Sequence, residues 1–285
     1  VSVNGGNKKV RYFISGGFLS QNGIIDDHNY QKGSFRSNVE ATPFDNLKVA
    51  LNIGGYVADA YIPGSYSYEN QKSYSIFHQM LYSLPFVPKE INGQPVSGYR
   101  TVSNAANPIY GSANSGFNSS RNLKLETSAR VEYSFPFLKG LKASMFFSWD
   151  WRDLESKTFS YTYQVLAPDS FGSTSYSLVN AANLTQDGNM YKGEQKSQQL
   201  VLRPQISYNQ TFGKHTVGAL FLYEQTKNNS SVFSGSRRDF ALFDLPYLNF
   251  GNSATAQNSE SYGHDAQAGY VGRLNYIYAD KYLLE

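Results

Sequence analysis

Apolar and polar residues alternate with a period of two along much of this chain. Between residues 123 and 134, Leu123, Leu125, Thr127, Ala129, Val131 and Tyr133 share one parity. Lys124, Glu126, Ser128, Arg130, Glu132 and Ser134 occupy the other. Side chains alternate faces along a strand, whereas a helix of period 3.6 would mix the two sets. Leu141, Ala143, Met145, Phe147, Trp149 and Trp151 repeat the pattern against Lys142, Ser144, Ser148 and Asp150, with Phe146 out of phase. Further segments begin at Val10, Phe35, Leu47, Leu200, Val217 and Ala266. The pattern predicts about ten antiparallel strands, two of them cut by the chain ends, each full strand roughly 10 to 12 residues long.

Connections of two kinds alternate between these strands. Short ones fall at Gly5-Gly6-Asn7-Lys8, Pro43-Phe44-Asp45-Asn46, residues 136–140, Gly213-Lys214 and Ala279-Asp280-Lys281. Long ones are expected at 20–31, 57–120, 152–197 and 226–264. In an antiparallel meander this alternation puts every short turn at one end and every long loop at the other. Transmembrane β-barrels have that asymmetry, with tight periplasmic turns and long extracellular loops. Aromatic residues also gather towards strand ends: Tyr133, Phe135, Phe137, Tyr208, Phe212, Tyr276, Tyr278 and Tyr282 by the short turns, and Trp149, Trp151, Tyr223 and Tyr56 at the other end. Rings with a polar edge favour both membrane–water interfaces.

Composition changes the reading only where it excludes something. No apolar run approaches the roughly 20 residues of a membrane-spanning helix. A mean hydropathy of −0.46 would suit a water-soluble protein, but a barrel turns only alternate strand residues to lipid. A net charge of +3, with scattered basic residues, is no nucleic-acid footprint. The chain has no Cys, and its four His have no partner at ligand spacing, so neither metal nor cofactor is expected. His215 is expected at a strand start beside a tight turn. Asp26-Asp27 and the group Asp150, Asp153 and Glu155 read as solvated charge, and Asp187-Gly188-Asn189 as a turn. No nucleophile elbow, phosphate loop or dinucleotide fingerprint occurs, and no catalytic residue is expected. Val1-Ser2-Val3 is strand-like and no signal peptide precedes it, so the chain reads as an internal piece.

The long loops carry the candidate binding residues. Phe159, Tyr161, Tyr163, Phe171 and Tyr176 lie in one, and Phe243, Tyr247 and Phe250 in another, among Ser, Thr and Asn. Two readings stand. Such rings can capture a neutral polar oligomer by stacking, or they can pack the loops against one another.

Several stretches resemble the SusC/RagA family of TonB-dependent outer-membrane transporters. They are residues 4–18 with Gln21-Asn22-Gly23-Ile24-Ile25, then Phe35-Arg36-Ser37-Asn38-Val39, Pro43-Phe44-Asp45-Asn46-Leu47-Lys48 and residues 272–284. The resemblance implies that residues 1–285 are part of one barrel domain of about 22 strands. It also implies a plug domain outside this chain, a SusD-like surface lipoprotein as partner, and energy from the TonB complex. The implied activity is uptake of oligosaccharides or peptides in the outer membrane of a Gram-negative bacterium. A passive porin or barrel-anchored adhesin is the alternative, and a secreted carbohydrate-binding protein a third. An open ten-strand sheet leaves two unpaired edges, so these strands are expected to fold only within a complete barrel.

Overall fold

The structure is a computed structural model that describes residues 1–63, 76–98, 105–170, 172–181 and 188–285. The side chains of residues 77 and 78 are not described. The main body is a ten-stranded antiparallel sheet of strands β1 (Ser2–Gly6), β2 (Val10–Asn22), β3 (Asn29–Phe44), β4 (Leu47–Pro63), β7 (Gly116–Ser134), β8 (Leu141–Ser160), β11 (Asn189–Phe212), β12 (His215–Arg238), β13 (Gln257–Tyr278) and β14 (Tyr282–Leu284), in that spatial order. The loops hold two small hairpins, β5 (Glu90–Ile91) with β6 (Gln94–Pro95) and β9 (Gln164–Pro168) with β10 (Tyr176–Asn180). They also hold two short helices, α1 (Ile76–Tyr82) and α2 (Pro108–Asn114).

Every strand of the sheet pairs with its sequence neighbour within the sheet, so the predicted meander and its segregation of short turns from long loops are present. Direct partners in a ladder share a face. Tyr12, Val39, Leu51, Ala129, Phe147 and Leu202 form one apolar row across six strands. Asn38, Asn52, Ser128 and Ser148 form a row of the opposite face. The apolar face is exposed, as at Val131, Phe147, Phe221 and Leu274, because its packing partner is lipid.

The strands are longer than alternation predicts. Strands β2 to β4 have 13, 16 and 17 residues, and β7, β8, β11, β12 and β13 have 19, 20, 24, 24 and 22. The extra length is at the long-loop end, where stretches polar on both faces interrupt the alternation before apolar residues return at the strand ends, as at Phe117, Phe159 and Met190. Pairs such as Gln199 with Asn228 and Ser197 with Ser230 continue the ladder there. Three long connections shrink accordingly to residues 64–115, 161–188 and 239–256, while the one expected at 20–31 shortens to residues 23–28, a turn no longer than the connection 135–140 at the other end.

The apolar band runs obliquely to the ladder. Val57 faces Leu123, but Leu123 faces Asp153. On β8 the last outward ring before polar residues is therefore Trp151, which faces Gln198, and the next apolar position on β11 is Leu200. Leu200 faces Lys227, so on β12 the band ends at Tyr223. Each step moves the boundary towards the short turns. Ladder bonds lie perpendicular to the strands, so rows that cross the lipid boundary obliquely report strands tilted in the membrane, as barrel closure requires.

Two expectations change. Tyr56 does not belong to the outward aromatic set. It pairs with Lys124 and Ser34 on the polar face, with the Lys32 ammonium 4.4 Å from its ring centre. Asp150 and Asp153, expected as solvated charge at a strand exit, both lie within β8 and differ in parity, so they point to opposite faces. His215 does begin β12, hydrogen-bonded through Nδ1 to the Tyr276 hydroxyl at 2.6 Å.

Candidate functional site

The long-loop end carries a layer with its own core. Asn107 organises one part of it. Its side-chain oxygen accepts from the Ile109 and Tyr110 amides, capping α2. Its amide donates to the Lys89 and Val96 carbonyls, and its backbone N–H and C=O both bond the Tyr163 hydroxyl at 3.1 Å. Gly111 makes this close approach possible, since a Cβ there would stand 2.4 Å from that hydroxyl. Val96 bridges in parallel to Leu166, and Ser97 donates to the Leu166 carbonyl at 2.8 Å. Two long loops, 64–115 and 161–188, are thereby joined. Ala105, Tyr163, Val165, Ala167 and Ala181 form the buried cluster between them.

The third long loop, 239–256, packs on the strand ends. Phe240 closes over Phe159 and Met190, its ring centre 5.0 Å from that of Phe159. Gly116, at φ +97°, lies where a Cβ would collide with the Phe159 carbonyl oxygen, so a residue of permissive backbone joins α2 to β7 here.

These contacts sort the candidate rings. Phe159, 1% exposed, ends β8 and offers no free face. Tyr163 is buried and committed to Asn107. Tyr161 stacks on Phe243, with centroids 4.5 Å apart and planes within 4°. Burial pushes the Tyr161 phenol above its ordinary range. Phe243, Tyr247 and Phe250 are exposed, and Tyr247 lies over the Lys157 ammonium at 5.0 Å. Tyr176 begins β10 opposite Pro168. Phe171, Asp187 and the side chain of His78 lie outside the described residues. The structure adds Tyr61 and Phe117, stacked at 5.6 Å, with Phe117 edge-on to Phe159 at 6.3 Å. They sit at strand ends within regions read as one long loop, where sequence separation hid their nearness.

The polar face of the sheet has an ordered charge arrangement, and it explains the out-of-phase Phe146. Arg130, Phe146 and Arg203 are ladder neighbours. Their guanidinium carbons lie 5.5 and 5.4 Å from the ring centre, a cation–π arrangement. Arg203 is also ion-paired with Glu224. Beside this cluster a polar groove of about 630 Å³ runs across β3, β4, β7 and β8, with Asn38, Asn52, Ser128 and Ser148 along it. Amides, hydroxyls and fixed charges of this kind can hydrate and guide a polar solute.

No family model matches the chain. It is 22% identical to TonB-dependent receptor P3 and 27% identical to TonB-dependent receptor P26, both of Formosa agariphila. These matches cover 99% and 100% of the chain, but the chain spans only 27% and 26% of the two relatives. Among solved structures, that of the RagAB peptide importer in its closed-closed state superposes with a TM-score of 0.71 at 19% identity, over 98% of this chain and 30% of that one. Its open-open state gives 0.72 at 19% identity, over 98% and 29%. The superpositions establish the fold, and the two receptors match the sequence from end to end. The chain thus has the fold of a stretch of antiparallel β-barrel wall, and along its whole length it is similar to proteins named TonB-dependent receptor.

Proposed function

We propose that the complete protein imports oligosaccharides or peptides across the outer membrane of a Gram-negative bacterium, driven by the TonB complex and without catalysis. The observation that supports this most is the likeness along the whole chain to two proteins named TonB-dependent receptor. The polar sheet face, with its groove and paired charges, suits a wall lining an aqueous lumen. Residues 1–285 form part of a single barrel domain in this reading, with the plug and the remaining strands elsewhere in the protein. The open edges at β1 and β14 pair with those strands, since bare edges are not tolerated in lipid. Short turns face the periplasm and the loop layer faces outward, where a SusD-like lipoprotein covers it. Phe243, Tyr247 and Phe250 are the loop rings placed to meet substrate, while Phe159 supports their loop from beneath through Phe240 and Phe243.

The test is uptake by cells carrying the full-length gene. Labelled oligosaccharides and peptides should enter wild-type cells, and not a deletion strain or cells whose proton-motive force a protonophore has collapsed. Uptake that survives the protonophore supports a porin instead, and surface binding without uptake supports an adhesin.

A further inference from the structure

Two adjacent glycines of β4 single out the polar groove. Only one of them is required by packing. A Cβ on Gly55 would stand 2.4 Å from the Lys124 carbonyl oxygen. One on Gly54 would meet nothing nearer than the Phe35 carbonyl oxygen at 3.5 Å, an ordinary contact. The ladder passes through Gly54 without a register shift, from Arg36 on one side to Glu126 on the other. A glycine inside a strand weakens it, and where no bulge calls for one it marks a close approach by a ligand or another backbone. Gly54 leaves an open lane in the groove between a cation and an anion.

Among the described residues, the charged groups lining the groove are Arg36, Glu126 and Asp150. Arg36 has Ser15 and Gly54 as ladder partners, and no described carboxylate lies within ion-pair distance of it. Glu126 and Asp150 face each other across β7 and β8. Like charges placed directly opposite are destabilising unless something neutralises them. The Lys124 ammonium is ion-paired with Glu126. Arg152, the next cation, bonds Asn122 instead, its Nε 3.1 Å from the amide oxygen. Asp150 is left without an ion pair among the described residues.

The lone cation and the carboxylates therefore share one groove, with Arg36 and Glu126 two strand spacings apart, about 10 Å. The adjacent row towards the short turns is neutral, with Asn38, Asn52 and Ser128 in register. Asp150 adjoins Trp151, where the outward apolar band of β8 ends, so the groove lies at the loop-side end of the wall. A neutral sugar can use neither charge. An extended tripeptide with free ends carries an ammonium and a carboxylate at about this separation, since each residue adds about 3.4 Å. Its peptide units match the amides between.

We propose that this groove binds short peptides with free ends, the carboxylate on Arg36 and the ammonium between Glu126 and Asp150, and so favours peptides over neutral oligosaccharides. The proposal rests on the import reading above and narrows its substrate class. Binding is measured without transport, so energy-dependent uptake can persist where binding fails, and binding can persist in a protein that does not pump.

The experiment titrates the full-length protein in detergent micelles with trialanine, followed by calorimetry. Free trialanine should bind, and its N-acetyl and C-amide forms should each bind about tenfold more weakly. Maltotriose, a neutral trisaccharide, should not displace it. Arg36→Gln should bind free and amidated peptide equally, and Asp150→Asn should bind free and acetylated peptide equally. Gly54→Leu should fill the lane and abolish binding, with the barrel as heat-resistant as wild type. If a charge variant does not assemble, the capped peptides on wild type give the same reading. No binding of trialanine, as when a plug covers the groove, would overturn the proposal. So would equal binding of the capped forms, displacement by maltotriose, or wild-type behaviour in the assembled variants.

Discussion

In the barrel wall Val131, Phe147 and Phe221 lie open on the surface, whereas in the loop layer Val96, Phe159 and Val165 are sealed to within 1% exposure. Among the described residues, every buried apolar side chain except Ala58 belongs to the loop layer or to strand ends beneath it. The wall is held by continuous backbone ladders and takes lipid as the solvent for its apolar face. The loop layer excludes water from a small conventional core, with Asn107 and Tyr163 satisfying the polar groups this buries. One chain thus uses two solvents, and the same residue type means different things in each. A phenylalanine in the wall is a lipid contact, and one in the loop layer is a packing element.

The largest expected effect tests whether the two regions are energetically separate. Phe159→Ala removes the ring on which Phe117, Phe240 and Tyr161 converge, at a cost of about 3–5 kcal/mol. Limited proteolysis of the full-length protein should cut loops 161–188 and 239–256 much faster. Heat resistance of the barrel on a semi-native gel should stay as in wild type, and its loss would break the distinction.

The next effect tests the wall. Phe147 sits in the apolar row between Ala129 and Leu202, and Phe147→Arg should cost about 2–4 kcal/mol at mid-bilayer depth. The amount of folded protein in outer-membrane fractions should fall sharply. Phe146→Gln, one position away on the other face, forfeits only two cation–π contacts of about 0.5–1 kcal/mol each and should leave that amount nearly unchanged. Equal losses from both would contradict the assignment of faces.

The smallest effect concerns the loop hairpin β9–β10. The hydroxyls of Ser175 and Ser177 donate to the two oxygens of Asp169 at 2.5 and 2.6 Å and hold its carboxyl below the usual range. A depressed carboxylate supplies stability that is fully present above its unfolded pKa and is lost as pH falls through the folded value. Amide exchange in residues 164–180, corrected for intrinsic rates, should therefore accelerate at acid pH, and Asp169→Asn should flatten this dependence. Because Asp169 is solvated, the change should stay within the hairpin.

The two regions also differ in what could be read without coordinates. Leu123 to Tyr133 disclosed its face directly, because lipid on one side and water on the other impose a strict alternation. Beyond the bilayer that constraint lapses. Gln195 to Gln199 and Asn228 to Ser231 are polar on both faces, so their continuation of β11 and β12 left no apolar signal. Tyr56 was misread because proximity to a strand end says nothing about parity. In the loops ring content was visible but burial was not: exposed Tyr247 is flanked by Pro246 and Leu248, and buried Tyr163 by Thr162 and Gln164.

The sequence by itself determined the strand number, the two faces, the sorting of short turns from long loops, and the likeness to a known transporter barrel. Strand number and faces follow from the repeated contact of alternate residues with one solvent, the sorting of connections from their lengths, and the likeness from the motifs within residues 4–25, 35–48 and 272–284. Only tertiary structure decided the strand lengths, the slant of the apolar band, the clamping of Phe146 between Arg130 and Arg203, and the opposition of Glu126 to Asp150. Those depend on register, which aligns residues from separate strands and is settled by the ladder as a whole.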